Sequence, residues 1–200
     1  MLNKFKRYFE KKLRVLALAL LKLGLTPNAC TTLSLLVGVL SSITLCTGNY
    51  LCSTALILLS GILDALDGTV ARLSGKVTKL GAFIDSMFDR LVDSAVILSL
   101  CFNLIQRNMP LEGALAALFA ALSLMISYAR ARAESLGVEI KGVGLMERAE
   151  RLIAVAILVL LLDRATYMFT WLLLATVVLS GVTLAERIYR VVKAISLREK

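Results

Sequence analysis

The sequence predicts an all-α integral membrane protein, with six transmembrane helices preceded by an amphipathic helix lying in the membrane interface. Three observations carry that expectation. Hydrophobic residues make up 58% of the 200-residue chain and charged residues only 18%, too apolar a balance for a soluble domain of this length. No charge falls between Leu23 and Leu63, a run long enough for about two bilayer crossings at ~20 residues each. The basic residues gather in short blocks between apolar stretches, as the flanks of successive spans do. No hydrophilic block is large enough to fold separately. Residues 1–200 therefore read as one domain, with 1–26 as the interfacial helix and 28–194 as the bundle.

The elements follow in order. Phe5, Tyr8, Phe9, Leu13, Leu16 and Leu20 recur at three- and four-residue spacing among lysines and arginines, a pattern that suits a helix in the interface plane. The same charges leave no compact apolar core of the kind a cleavable signal peptide has. Thr26–Pro27 breaks this helix, and Pro27 suits the first position of the next. Spans are expected over 28–47 and, after a turn at Gly48–Asn49, over 50–73. A third runs over 81–104, and a turn holding Pro110 leads to a fourth over 112–135. The next uncharged stretch, Leu152–Leu162, is too short to cross. The fifth helix is therefore expected to start near Leu145 and to carry Glu147, Arg148, Glu150 and Arg151 with it. The sixth covers 166–194, its basic end projecting into water.

Six spans place both termini on one side. All of the 23 basic residues except Arg107 and Arg164 flank that side, which the positive-inside rule makes cytoplasmic. The expectation is a multi-pass protein of the cell membrane. No repeat or low-complexity segment stands out. The four cysteines have no paired spacing, so they read as small packing residues rather than a disulfide or zinc set. The chain has no histidine, and acid–base work near neutral pH falls to carboxylates.

Five aspartates lie close to the cytoplasmic ends of the second and third spans. Asp64 and Asp67 point within about 60° of each other on a helix, and Asp85, Asp89 and Asp93 step by four along one face. Carboxylates brought that close repel one another, and a pair of Mg²⁺ or Mn²⁺ ions with oxygen ligands resolves the repulsion. Helix capping, or pairing with Arg72 and Arg90, would explain one or two of them but not four at these spacings. Gly68 and Gly81 allow a bulky group to approach the backbone. Asp93 is left open between helix packing and a contact behind the ligands.

A second set is basic. Arg130, Arg151 and Arg190 sit at the cytoplasmic ends of three separate helices. Converging guanidinium forks suit a phosphate; taken singly, each suits interfacial snorkelling instead.

The spacing D64-x-x-D67-G68-x-x-A71-R72, eight residues, then G81-x-x-x-D85-x-x-x-D89 resembles the signature of the CDP-alcohol phosphotransferase family at every fixed position, and the six-span layout is similar too. The resemblance implies two metal ions held by Asp64, Asp67, Asp85 and Asp89, with Asp89 also the general base. It implies that Gly68, Arg72 and Thr78 hold the cytidine diphosphate of a CDP-linked lipid, helped by Ala29, Cys30, Thr31 and Thr32. The segments around Arg130 and Arg151 are similar to the family's inositol-phosphate-using branch, and to its archaeal members in particular. The implied reaction moves a lipid phosphate from CDP-archaeol or CDP-diacylglycerol to inositol 1-phosphate and releases CMP. A homodimer is implied as well. The expected partners are thus the bilayer and the two substrates, with no nucleic acid. Two alternatives stay open: the same reaction with glycerol 3-phosphate as acceptor, and a divalent-cation transporter. Against the transporter, the acidic residues cluster at one face, and only Glu112 and Asp163 stand near the other.

Overall fold

The computed structural model describes the backbone of residues 2–140 and 142–198 and the side chains from residue 12 onward within that range. Seven helices and no strand are found among the described residues: α1 (Leu2–Lys22), α2 (Pro27–Cys46), α3 (Tyr50–Ser74), α4 (Lys79–Gln106), α5 (Pro110–Ser135), α6 (Arg148–Leu161) and α7 (Thr166–Arg198). Four of them, α2, α3, α5 and α7, are long and apolar enough to cross a membrane. The remaining pair expected to cross differ for physical reasons. α4 is 28 residues long but carries Asp85, Asp89, Arg90 and Asp93 along its first half and midpoint, breaking the apolar run. α6 has 14 residues, about 21 Å at 1.5 Å per residue, against ~30 Å of hydrocarbon.

Local chemistry sets the boundaries. Thr26 Oγ1 accepts from the Ala29 amide and Pro27 takes the first turn of α2. Asn49 and Thr78 cap α3 and α4 in the same way, accepting from Cys52 and Gly81. α3 stops at Gly75, whose φ of +68° a side-chain-bearing residue rarely adopts. α6 begins at Arg148, later than expected, because residues 136–140 and 142–147 form a folded strap. Val138, Ile140 and Val143 are buried with Ala133 of α5 against Val191, Ala194 and Ile195 of α7. Glu147 consequently stands before the helix, as its N-cap.

The packing is inside-out relative to a soluble bundle. On α2 the buried residues include Thr31, Ser34, Gly38, Ser41 and Ser42, while Leu33, Leu36, Val39, Leu40 and Ile43 face outward. Small residues let backbones approach where lipid removes the hydrophobic drive. Ser34 and Ser60 exchange hydroxyl-to-carbonyl bonds of 2.9 Å between α2 and α3, and Ser53 donates to the Ser41 carbonyl. α2 packs on α3 and α4, α4 on α5, α5 on α7, and α6 lies between α3 and α7. Leu45, Leu100, Leu104, Phe119, Leu158, Phe169 and Leu173 are fully buried in the central core. At the end opposite the aspartates, Arg107 donates to Asp163 at 2.8 Å and to the Tyr50 hydroxyl at 3.1 Å, tying α3, α4 and α6 together.

α1 packs on α3: Ala17 is buried with Cys30, Leu66 and Val70, flanked by Leu13 and Leu20. The side chains of Phe5, Tyr8 and Phe9, expected on its apolar face, lie outside the described residues.

Candidate active site

α3 and α4 run toward a short connection at Gly75–Thr78, which brings the acidic ends of both helices together. Ligand-type oxygens of Asp64, Asp67 and Asp85 all lie within 4.8 Å of one another. Asp67 is 5% exposed, and its Oδ2, like Asp85 Oδ1, is buried without a hydrogen-bond partner. Buried carboxylate oxygens lacking donors are costly. Oxygen ligands of this kind, facing one another, fit a hard divalent cation.

Asp89 stands outside this trio. Its Oδ1 accepts from Arg148 Nη2 at 2.8 Å, and its Oδ2 lies 3.8 Å from Arg90. The other Arg148 nitrogen, Nη1, donates to Asp64 Oδ2. Asp93 lies 3.8 Å from both Arg148 and Arg151, so it neutralises arginines rather than joining the trio. Arg72 reaches no carboxylate among the described residues; it donates to Thr69 Oγ1.

Two cavities open on either side of Asp85, which lines both. The smaller, of about 280 Å³, is lined by Asn28, Thr31, Asp67, Gly68, Arg72, Lys76, Thr78 and Gly81 among others. A Cβ at Gly68 would lie 3.4 Å from the Arg72 guanidinium, an ordinary contact with the far end of a flexible side chain, so the glycine leaves open space beside the acids. Four of the seven residues expected to hold the CDP group line this cavity. Ala29, Cys30 and Thr32 do not: Cys30 is buried against α1, and Thr32 is exposed on the outer face. Thr78 has a second duty as the cap of α4.

The larger cavity, of about 920 Å³, is lined by Asp85, Asp89, Ser127, Tyr128, Glu134, Glu147 and Glu150, together with Arg90, Arg130, Arg148, Arg151 and Arg187. Of the three arginines singled out in the sequence, Arg130 and Arg151 line it. Arg151 is 4% exposed and donates to the Met146 carbonyl at 3.0 Å. Arg190 does not line it; it is exposed and donates to Glu186 one turn back. Arg187, one turn before Arg190, is the α7 residue that faces inward. It is 3% exposed and donates to the Val143 and Ile126 carbonyls at 3.0 and 2.9 Å. The bond to Val143 holds the strap and, through it, the start of α6, and the bond to Ile126 ties α7 to α5.

Arg90, Arg148 and Arg187 had no sequence signal as site residues beyond their charge, because their roles depend on which helices meet. Asn28 was the one polar residue next to the expected 29–32 segment, and its position at the start of α2 was the available clue.

Residues 24–182 match the family model described as CDP-alcohol phosphatidyltransferase. The archaetidylinositol phosphate synthase of Pyrococcus horikoshii is 32% identical, over 98% of this chain and 100% of its own. That of Methanothermobacter thermautotrophicus is 37% identical over 78% of this chain and 75% of its own. Among solved structures, Mycobacterium tuberculosis phosphatidylinositol phosphate synthase with CDP-DAG bound aligns with a TM-score of 0.80 and 28% identity, covering 90% of this chain and 92% of that one. The same mycobacterial enzyme in complex with manganese and citrate aligns at 0.78 and 29%, covering 90% and 88%.

Proposed function

The chain belongs to the CDP-alcohol phosphatidyltransferase family, and from that premise we propose that it transfers a lipid phosphate from a CDP-linked lipid to inositol 1-phosphate, releasing CMP. The observation that carries the acceptor assignment is the arginine-lined cavity of about 920 Å³ sharing Asp85 with the motif-lined cavity. One cavity suits a nucleotide-linked donor; the other, with five arginines, suits a second anion. Five carboxylates line the same cavity, Asp85, Asp89, Glu134, Glu147 and Glu150; cations on the two aspartates would leave five arginines facing three glutamates, an excess that suits an anionic acceptor over a free alcohol.

Two divalent cations, Mg²⁺ or Mn²⁺, held by Asp64, Asp67, Asp85 and Asp89 would supply charge neutralisation of the pyrophosphate and of the leaving CMP phosphate. Everything else is the work of the chain. Arg72 and Lys76 line the smaller cavity and draw in the negative nucleotide end, with Gly68 and Gly81 leaving room beside it. Arg130 and Arg151 orient the acceptor by its phosphate. Asp89 faces the acceptor cavity and takes the proton of the attacking hydroxyl. The new bond joins that oxygen to the lipid-side phosphorus, the bond from that phosphorus to the CMP oxygen breaks, and CMP leaves.

The membrane reading belongs to the same proposal: six spans, with α4 and α6 completing the crossing set, α6 only together with the residues that flank its 14-residue helix, both termini and the site cytoplasmic, and α1 at the interface. CDP-archaeol is the proposed donor, on the likeness to archaeal synthases, and a homodimer the proposed assembly. Purified protein given CDP-archaeol or CDP-diacylglycerol with inositol 1-phosphate and Mn²⁺ is expected to form the inositol phosphate lipid and CMP in equal amounts. CMP formation only with glycerol 3-phosphate would move the assignment to that acceptor.

A further inference from the structure

Arg148, the first residue of α6, reaches across to both acidic helices. Nη1 donates to Asp64 on α3 and Nη2 donates to Asp89 on α4 at 2.8 Å. Nε is buried without a hydrogen-bond partner, 3.8 Å from Asp93. The fork is thus divided between carboxylates of two helices rather than seated on one, the geometry that makes an arginine–carboxylate pair strongest. Two of those carboxylates are residues assigned above to the metal centre. The same arginine also borders the acceptor cavity.

We propose that Arg148 is the resident counter-cation of the metal-free aspartate cluster, and that divalent-cation loading releases its charge to the acceptor cavity, coupling metal binding to acceptor-phosphate binding. The inference rests on reading the aspartates as a metal centre. Arg148 and a dication compete for the same two carboxylates, Asp64 and Asp89, and they repel each other at that range. The guanidinium that yields has the cavity it already borders to turn into. There it joins Arg130 and Arg151, and the added positive charge calls for an anion. Its withdrawal also uncovers Asp89, the proposed base, only when the site is loaded. A metal-free enzyme therefore neither grips the acceptor tightly nor presents its base. By linkage, phosphate held by the displaced Arg148 must strengthen metal binding by the same factor as metal strengthens phosphate binding.

The test is Mn²⁺ binding to the purified full chain in detergent, read from the free-Mn²⁺ electron paramagnetic resonance signal, with and without inositol 1-phosphate or glycerol 3-phosphate as probe. In the wild type, either phosphate is expected to tighten Mn²⁺ binding by a factor in the range of about 5–150 that coupled sites show. Arg148→Ala should bind Mn²⁺ alone about tenfold tighter or more, the change expected when a competing charge-assisted contact is lost. Its coupling factor should fall below about 2. Arg148→Lys, which keeps the charge but can hold only one carboxylate, should fall between the two. Coupling that survives in Arg148→Ala would overturn the proposal, since the phosphate would then be touching the metal directly. So would Mn²⁺ affinity no tighter than wild type in that variant or, should alanine fail to fold, in the lysine variant. A wild type that binds no Mn²⁺ would instead overturn the metal centre itself.

Discussion

Asp67→Asn separates a ligand from a structural carboxylate. Asp67 is 5% exposed and its Oδ2 has no donor, with Asp64 and Asp85 oxygens within 4.8 Å. In the absence of metal, an unsatisfied buried group of this kind costs about 1–3 kcal/mol, and like charges nearby add to it. Asparagine keeps the shape and removes the charge, so the metal-free variant is expected to be at least as stable as wild type. With cation present the order reverses. Free ligand at a hundredfold over Kd stabilises the native state by about 2.7 kcal/mol. At about 2–4 °C per kcal/mol for a chain of this size, wild type should gain about 5–11 °C. The assay is thermal unfolding in detergent with EDTA or with saturating MnCl2. Asp67→Asn should gain less than about 2 °C on the same scale and should lose transfer activity. An equal Mn²⁺-dependent gain in variant and wild type would refute the reasoning. So would an Asp67→Asn protein several degrees less stable in EDTA, because Oδ2 would then have a protein donor that the amide loses.

Donor and acceptor contacts should separate kinetically: Arg72→Ala should raise KM for the CDP-lipid, and Arg130→Ala or Arg151→Ala should raise KM for inositol 1-phosphate. Each lost charge-assisted contact is worth about 1.5–3 kcal/mol, or about tenfold to a hundredfold in KM. Arg190→Ala, whose side chain bonds Glu186 outside the cavity, should change acceptor KM much less; an equal effect would return Arg190 to the acceptor site, and alanine variants that weaken both substrates equally would return the arginines to membrane anchoring. Orientation is checked by cysteine labelling in a background without native cysteines: Asn49→Cys should react with an impermeant reagent from outside and Lys76→Cys should not. Gly38→Ala should test helix approach, since its Cβ would lie 2.5 Å from Val92 Cγ1; overpacking of this kind costs about 1–3 kcal/mol, read as a lowered Tm.

Much of the architecture was legible because its signals are local. Pro27, Gly48–Asn49, Gly75 and Pro110 punctuate the chain, and α2, α3 and α5 begin and end within two residues of the expected bounds. The start of α6 was not. Charged residues near Leu145 resemble a helix entrance, whereas the strap is shaped by Arg187 and Thr183 some 40 positions away, through bonds to Val143 and Met146. The aspartate pairs were visible as helical spacings on two helices joined by a short loop. The arginines were harder. Arg187 and Arg190 are one turn apart and chemically alike, and only the packing of α7 on α5 decides which faces inward. Arg148 looked like one more interfacial charge until α6 was placed against the acidic ends of α3 and α4.

The central claim is that one centre joins a CDP-linked donor to a phosphorylated polyol. Its most direct test is product identification by mass spectrometry after incubating proteoliposomes containing the purified protein with CDP-archaeol, Mn²⁺ and an equimolar mixture of inositol 1-phosphate, glycerol 3-phosphate and free inositol. The expected main product is an inositol phosphate lipid, with CMP released in equal amount and no product in EDTA. A glycerol phosphate lipid as the main product, or free inositol consumed as readily as its phosphate, would contradict it.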